Sequence, residues 1–307
     1  MTRPETRTDS DNDNLTRFLL QEAGVRGVCV HLDATWQQIR DRAEYPLAIS
    51  ELLGEAAAAA ALFTAHAKVD GRLSVQFRGD GPLRTLFTEC TASGTLRGIA
   101  QVEGGSELPR DLRALGANAI LAITIENPGS DGREPTRYQG LVALESDSLA
   151  GAFEGYFRQS EQLPTRLLLA VEGGRAAGLM LQKLPGDVGD DDGWNRAVAL
   201  FDTLSPAELL GWSTQVLLLR LFNEDEPRVL DVRPLRFECS CSRERVASML
   251  HALGPDEAQA AAVDGVAKIR CEFCGQQYFF DADQIADIFV PAAEHRSVEL
   301  PAPERLQ

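Results

Sequence analysis

The chain has 307 residues, 44% hydrophobic and 25% charged, a balance that excludes wholesale disorder and suits one large domain plus a small one, or two medium ones. Its 46 acidic and 30 basic residues give a formal net charge of −16, a field that repels phosphate and argues against nonspecific binding to DNA, RNA or anionic lipid. No apolar run reaches the roughly 18 residues of a membrane span, and the polar start has no apolar signal core, so a cytoplasmic location with reduced thiols is expected.

Residues 1–14 are polar and aperiodic, which predicts a disordered arm. Asp9, Asp11 and Asp13 alternate like the start of a calcium loop, but Asn14 stands where glycine is needed and no glutamate closes the loop, so a solvated tail is the better reading. Gly27–Asp33 reads as a strand, and the Ala/Leu-rich run Leu47–Lys68 behind Pro46 reads as a helix with proline at its first position. Arg72–Arg78 and Pro82–Cys90 flank Gly79-Asp80-Gly81 as a hairpin, and Gly94–Val102 adds a strand. Ala119–Glu126 and Tyr138–Glu145 form a second hairpin, Ser146–Ser160 a helix, and Thr165–Val171 with Ala176–Gln182 a strand pair around Gly173-Gly174. Hairpins without a regular βαβ alternation predict an α+β domain over 15–186, mostly antiparallel, with packing helices.

Gly186–Gly193 is a strong breaker and a candidate domain boundary. A helix follows over Trp194–Leu204. A second has Ser205 as N-cap, Pro206 behind it and Glu208 completing a capping box. Its Leu209, Leu210, Trp212, Leu217, Leu218 and Phe222 spread over more than one face, so something must cover it; taken alone it is an ordinary core helix. Residues 187–233 are thus a helical linker.

Of six cysteines, four crowd into residues 234–290: Cys239-Ser-Cys241, then 29 residues, then Cys271-Glu-Phe-Cys274. Two tight thiol pairs suit one tetrahedral zinc ion per chain, and Gly275 lets backbone amides turn toward sulphur. Ser242 can cap a helix Arg243–Leu253 that stops at Gly254, which sets Cys239 and Cys241 at a helix N-terminus beside Arg243 and Arg245, a setting that favours thiolate. The spacing leaves an inert structural site and a redox-active one both open. His251 falls on the intervening helix with the sulphur shell already complete, and His31, His66 and His295 lack ligand spacing. Cys29 and Cys90 read as small buried strand residues. The Pro-rich tail 291–307 is expected to be disordered.

Phe237-Glu-Cys-Ser-Cys-Ser-Arg-Glu-Arg245 with Cys271-Glu-Phe-Cys-Gly-Gln-Gln-Tyr278 resembles the redox-regulated heat-shock chaperonin family of about thirty-three kilodaltons (HslO family). Ser160-Glu-Gln-Leu-Pro-Thr165 and Ala177-Gly-Leu-Met-Leu-Gln182 carry the same resemblance, which runs from about Leu15 to Phe289. It implies a non-enzymatic, ATP-independent holdase for unfolding client proteins. The reduced zinc form is off. Peroxide with heat, or hypochlorous acid, forms the disulfides Cys239–Cys241 and Cys271–Cys274, expels zinc and unfolds the linker. The resemblance further implies that 15–186 binds clients and dimerises, that the active form is a homodimer, and that clients pass to ATP-dependent refolding chaperones. Two other classes are weaker. A thiol–disulfide oxidoreductase would need its CxxC to follow a strand and open a helix, and a zinc-ribbon nucleic-acid module would not carry the acidic run Asp281, Asp283, Asp287.

Overall fold

Residues 12–67, 69–103, 109–129, 134–186 and 188–290 are described by the computed structural model. The tail 291–307, His295, Lys68, and the first eleven residues of the expected arm lie outside them. In chain order the chain forms β1 (Asn14–Leu20), β2 (Val25–Leu32), α1 (Ala34–Arg40), α2 (Leu47–His66), β3 (Arg72–Arg78), β4 (Leu83–Thr91), β5 (Thr95–Val102), β6 (Ile120–Asn127) and β7 (Thr136–Val142). Then come α3 (Leu149–Ser160), β8 (Thr165–Glu172), β9 (Arg175–Lys183), α4 (Gly193–Phe201), α5 (Pro206–Gly211), α6 (Thr214–Phe222), β10 (Pro227–Pro234) and β11 (Arg236–Phe237). The chain closes with α7 (Arg243–Leu253), α8 (Pro255–Ala260), β12 (Val266–Arg270), β13 (Gln277–Asp281) and α9 (Ala282–Ile288). By chain contacts these fall into two units, Met1–Cys239 and Ser240–Gln307.

The first unit is α+β with antiparallel-dominated sheets, as expected. One sheet runs β10-β1-β2-β9-β8, the other β11-β5-β4-β3-β6-β7; among the described residues of these sheets only the β11–β5 pairing is parallel. Helix α2 packs on strands of both sheets. That explains its composition: Ala56–Ala61 are all fully buried, and their small side chains let both sheets approach one helix. This helix is long and apolar enough to cross a membrane by composition alone, yet most of it is buried inside the protein. Pro46 is its N-cap rather than its first helical residue.

The first sheet is covered on both faces, which shows in its strands. Along β2 and β9, Val28, Val30 and Met180 join the core around α2, while the alternating Val25, Cys29, Leu179 and Leu181 join a second core. The second core is completed by Leu209, Leu210, Leu217, Leu218 and Phe222 of α5 and α6, with Phe201 of α4. The helices of segment 187–233 are therefore docked on this sheet within the first unit. Phe222 stacks on Phe18 with centroids 6.4 Å apart, and buried His31 places Nε2 3.0 Å from the Leu209 carbonyl. Asp225, also buried, ion-pairs with Arg196 of α4.

Three further expectations are corrected. The arm 1–14 is too long: Asn14 already pairs with His31 and Pro234, and the Asp13 carboxylate accepts the backbone N–H groups of Asp33, Ala34 and Thr35 at 2.9–3.0 Å, capping α1. The single helix expected after Ser205 is two. Ser205 does form the full capping box with Glu208, but Trp212 is extended and the Ser213 hydroxyl accepts from the Val216 N–H to start α6. The segment after α6 returns as β10 to pair with β1, a strand that local pattern did not disclose.

In the second unit, α7, α8, α9 and the β12–β13 hairpin share a small core of Leu250, Ala258, Ala267, Phe280 and Ile285.

Candidate metal centre

Cys239 lies two residues past the end of β11. That strand is fixed by its pairing of Phe237 with Leu96, by Glu238 N–H donating to the Leu96 carbonyl at 3.0 Å, and by Arg42 lying over the Phe237 ring at 4.9 Å. Register brings Cys239 beside Arg97, whose guanidinium pairs with buried Glu89 at 2.9 Å and takes the Cys239 sulphur as a further hydrogen-bond partner.

Cys241 precedes Ser242, whose hydroxyl accepts from the Arg245 N–H at 3.2 Å and caps α7 as expected. The flanking arginines do not aim at sulphur. Arg243 donates to the Phe279 carbonyl and to Gln284 and lies over the Phe280 ring at 4.1 Å, while Arg245 donates to the Ser240 carbonyl at 2.7 Å.

Cys271 and Cys274 lie in the turn of the β12–β13 hairpin. Cys271 N–H donates to the Gln276 carbonyl and Gly275 N–H to the Cys271 carbonyl, both at 2.8 Å. Gly275 has φ 73°, the left-handed conformation this tight reversal needs.

The four sulphur atoms all lie within 4.8 Å of one another, and each cysteine is half-buried. A tetrahedral ion with metal–sulphur bonds of about 2.3 Å needs sulphurs about 3.8 Å apart, so the quartet fits one ion with small adjustments. The sulphurs of Cys241 and Cys274, which belong to different pairs in the sequence, lie 3.3 Å apart. Proximity therefore does not by itself choose which thiols pair. Tyr278 donates its hydroxyl to Cys241 Sγ at 3.1 Å, and this neighbouring sulphur pushes the phenol up to about 12.

The other sequence candidates stand apart. Cys29 and Cys90 are buried in β2 and β4, and burial pushes the Cys90 thiol up to about 12. His251, on α7, stacks against Phe289 at 5.2 Å and is outside the ligand group; His66 contacts Arg26. Sequence reasoning missed Arg97 and Tyr278 as neighbours of the thiols. Tyr278 stood inside a motif already noticed, whereas nothing local pointed to Arg97.

The family profile described as "Hsp33 protein" matches residues 13–281. The chain is 42% identical over 292 residues to the 33 kDa chaperonin of Azotobacter vinelandii, covering 91% of this chain and 95% of that one. It is 41% identical over 287 residues to the 33 kDa chaperonin of Chromobacterium violaceum, covering 92% and 96%. The crystal structure of a 33 kDa chaperonin from Thermotoga maritima shares the fold with a TM-score of 0.73 at 19% identity, over 90% of this chain and 97% of that one.

Proposed function

Since the chain belongs to the Hsp33 family of chaperonins, we propose that it is an ATP-independent holdase switched on by oxidation of Cys239, Cys241, Cys271 and Cys274. The observation that supports this reading is the gathering of four thiols within 4.8 Å, in a part of the chain whose core, among the described residues, has five buried side chains. We take the reduced ligand set to be these four thiolates and the ion to be zinc, one per chain. Such an ion, when bound, contributes about 10–16 kcal/mol of apparent binding free energy, as much as the whole stability of an ordinary domain.

Oxidation removes those ligands. A thiolate attacks a peroxide oxygen, breaking the O–O bond and releasing hydroxide, to become sulfenic acid, and a neighbouring thiol displaces water from it to close a disulfide. From two thiols, each disulfide consumes one equivalent of peroxide and yields two waters, or one of hypochlorous acid and yields water, chloride and a proton. On the family resemblance the pairs are Cys239–Cys241 and Cys271–Cys274. A small module that loses its ion loses its order, and the preceding segment 187–233 loosens with it. Undocking α4–α6 bares two complementary apolar surfaces, the helix faces with Leu209, Leu217 and Phe222 and the sheet face with Phe18 and Leu179. The net charge of −16 keeps such a form in solution. In this reading the oxidised form is a homodimer in the cytoplasm. It holds unfolding proteins and passes them to ATP-dependent refolding chaperones.

The CxxC lies in a hairpin turn and no helix starts at it, which weighs against thiol–disulfide oxidoreductase chemistry. The test measures metal content and suppression of client aggregation before and after peroxide. The expected result is one zinc and no holdase activity when reduced, no zinc and full activity when oxidised. Full activity of the reduced zinc form would overturn the proposal.

A further inference from the structure

The segment Ser160-Glu-Gln-Leu-Pro-Thr165 is used nowhere in the cysteine switch. In the structure it ends α3 and turns into β8 through Gln162, which has φ 57°, a left-handed conformation that strains a non-glycine residue. Strain of that kind persists where surrounding contacts impose it. The neighbours of Gln162 in this segment, Glu161 and Thr165, belong to a polar network centred on Gln182. Fully buried Gln182 donates to Thr165 Oγ1 at 2.9 Å and to Glu161 at 3.3 Å. Arg26 donates to Gln182 at 3.1 Å and to His66 Nε2 at 3.1 Å, and Glu161 stands 3.6 Å from the same nitrogen.

This network borders a cavity of about 120 Å³. Its apolar wall is Phe63, Leu73, Ile123, Ile125 and Phe157, with Phe63 and Phe157 edge to face at 5.1 Å. Ser160, Glu161 and His66 line its polar side, and half-exposed Tyr138, its hydroxyl 3.1 Å from that of Tyr156, stands at its mouth. An apolar cavity of roughly 150 Å³ takes one benzene ring. A cavity of this size, with aromatic walls and a carboxylate on one side, matches a ring carrying a hydrogen-bond donor. We propose that it is a binding site for a single-ring aromatic group bearing a hydroxyl. The ring would lie against Phe63 and Phe157, with the hydroxyl donating toward Glu161. A free phenol and the tyrosine side chain of an unfolded polypeptide share this chemistry.

The test titrates the full-length, reduced, ¹⁵N-labelled protein with phenol and with toluene. Saturable shifts confined to residues around Phe63, Ile123, Phe157 and Glu161 are expected, with toluene binding at least several-fold more weakly. Ile125→Phe should fill the cavity and weaken phenol binding about tenfold, and Glu161→Gln should narrow the preference for phenol over toluene. Nuclear Overhauser contacts from phenol to the Phe63 and Phe157 rings in the unsubstituted protein keep the test decisive if Ile125→Phe does not fold. Displacement of phenol by an unstructured tyrosine-bearing peptide supports the site and assigns its ligand to a polypeptide; saturable phenol binding without displacement supports the site for a free phenol. Unsaturable shifts scattered over the surface, or unchanged phenol affinity in a folded Ile125→Phe protein, overturn the proposal.

Discussion

The hydroxyl of Tyr278 donates a hydrogen bond to the sulphur of Cys241, 37 positions earlier in the chain, at 3.1 Å. A donor to a ligating sulphur fixes its orientation and stabilises its negative charge, and losing such an outer contact costs a metal site about 10–100-fold in affinity. Tyr278→Phe removes only the oxygen. Competition against a chromophoric chelator should show about tenfold weaker metal retention, with unchanged circular dichroism of the reduced protein. Equal retention would mean that the hydroxyl contributes nothing to the site.

Cys29 and Cys90 should take no part in switching. Both are fully buried, and the Cys90 thiol, pushed up to about 12, carries almost no thiolate near neutral pH. With the metal stripped and the sheets of the first unit still folded, iodoacetamide should label Cys239, Cys241, Cys271 and Cys274 and spare Cys90. The double variant Cys29→Ser, Cys90→Ser should still activate with oxidant. A folded double variant that fails to activate would show that the sensor extends beyond the quartet.

Leu217 and Leu218 hold α6 against the first sheet. Truncating one buried leucine costs about 2–5 kcal/mol, and a buried unpaired carboxylate costs more. Replacing both with glutamate should undock α6, raise hydrogen exchange over Thr214–Phe222, and give some holdase activity without oxidant. Retained exchange protection in the double variant would remove α6 from the switch.

Acid should weaken the first unit through His66. Burial holds its imidazole below the ordinary value of 6.5, outweighing the opposing pull of Glu161, while Arg26 and Arg17 act in the same direction as burial. The folded state therefore binds fewer protons than the unfolded chain. The contribution is fully present above the ordinary value and is lost as pH falls through the lower folded one. Thermal melts from about pH 7.5 to about pH 5.5 should show a larger drop for the natural protein than for His66→Gln. Parallel drops would assign the acid sensitivity to other groups.

The hairpins β3–β4, β6–β7 and β8–β9 were legible because turn residues and alternating side chains are local signals. Strands β1 and β10 were not. Their pairing joins residues about two hundred positions apart, and the polar residues around Asn14 hid the start of β1. Helix α1 was missed because its cap comes from Asp13, twenty positions before Asp33. The apolar pattern after Ser205 continues through Trp212, so it could not show where α5 stops. At the candidate metal centre, paired spacing located all four sulphurs, since ligand geometry constrains short loops. Arg97 reaches Cys239 only through the register of β5 with β11, which no local motif records.

Strand β10 sits at the edge of the first sheet, beside β1, and β9 lies two strands further in. The chain between Lys183 and Pro227 therefore leaves this sheet and comes back to it. If α4–α6 lift off while both strands stay paired, the freed stretch is a tethered loop rather than a dangling arm. Its reach is bounded by two fixed anchors, and clients would meet a noose held close to the apolar sheet it came from. Closing roughly forty residues costs on the order of 3 kcal/mol of chain entropy, and here the β10–β1 pairing meets that cost in advance. The return of α4–α6 to the sheet then becomes a local, intramolecular re-docking, which gives such a device a built-in way home once reductant returns.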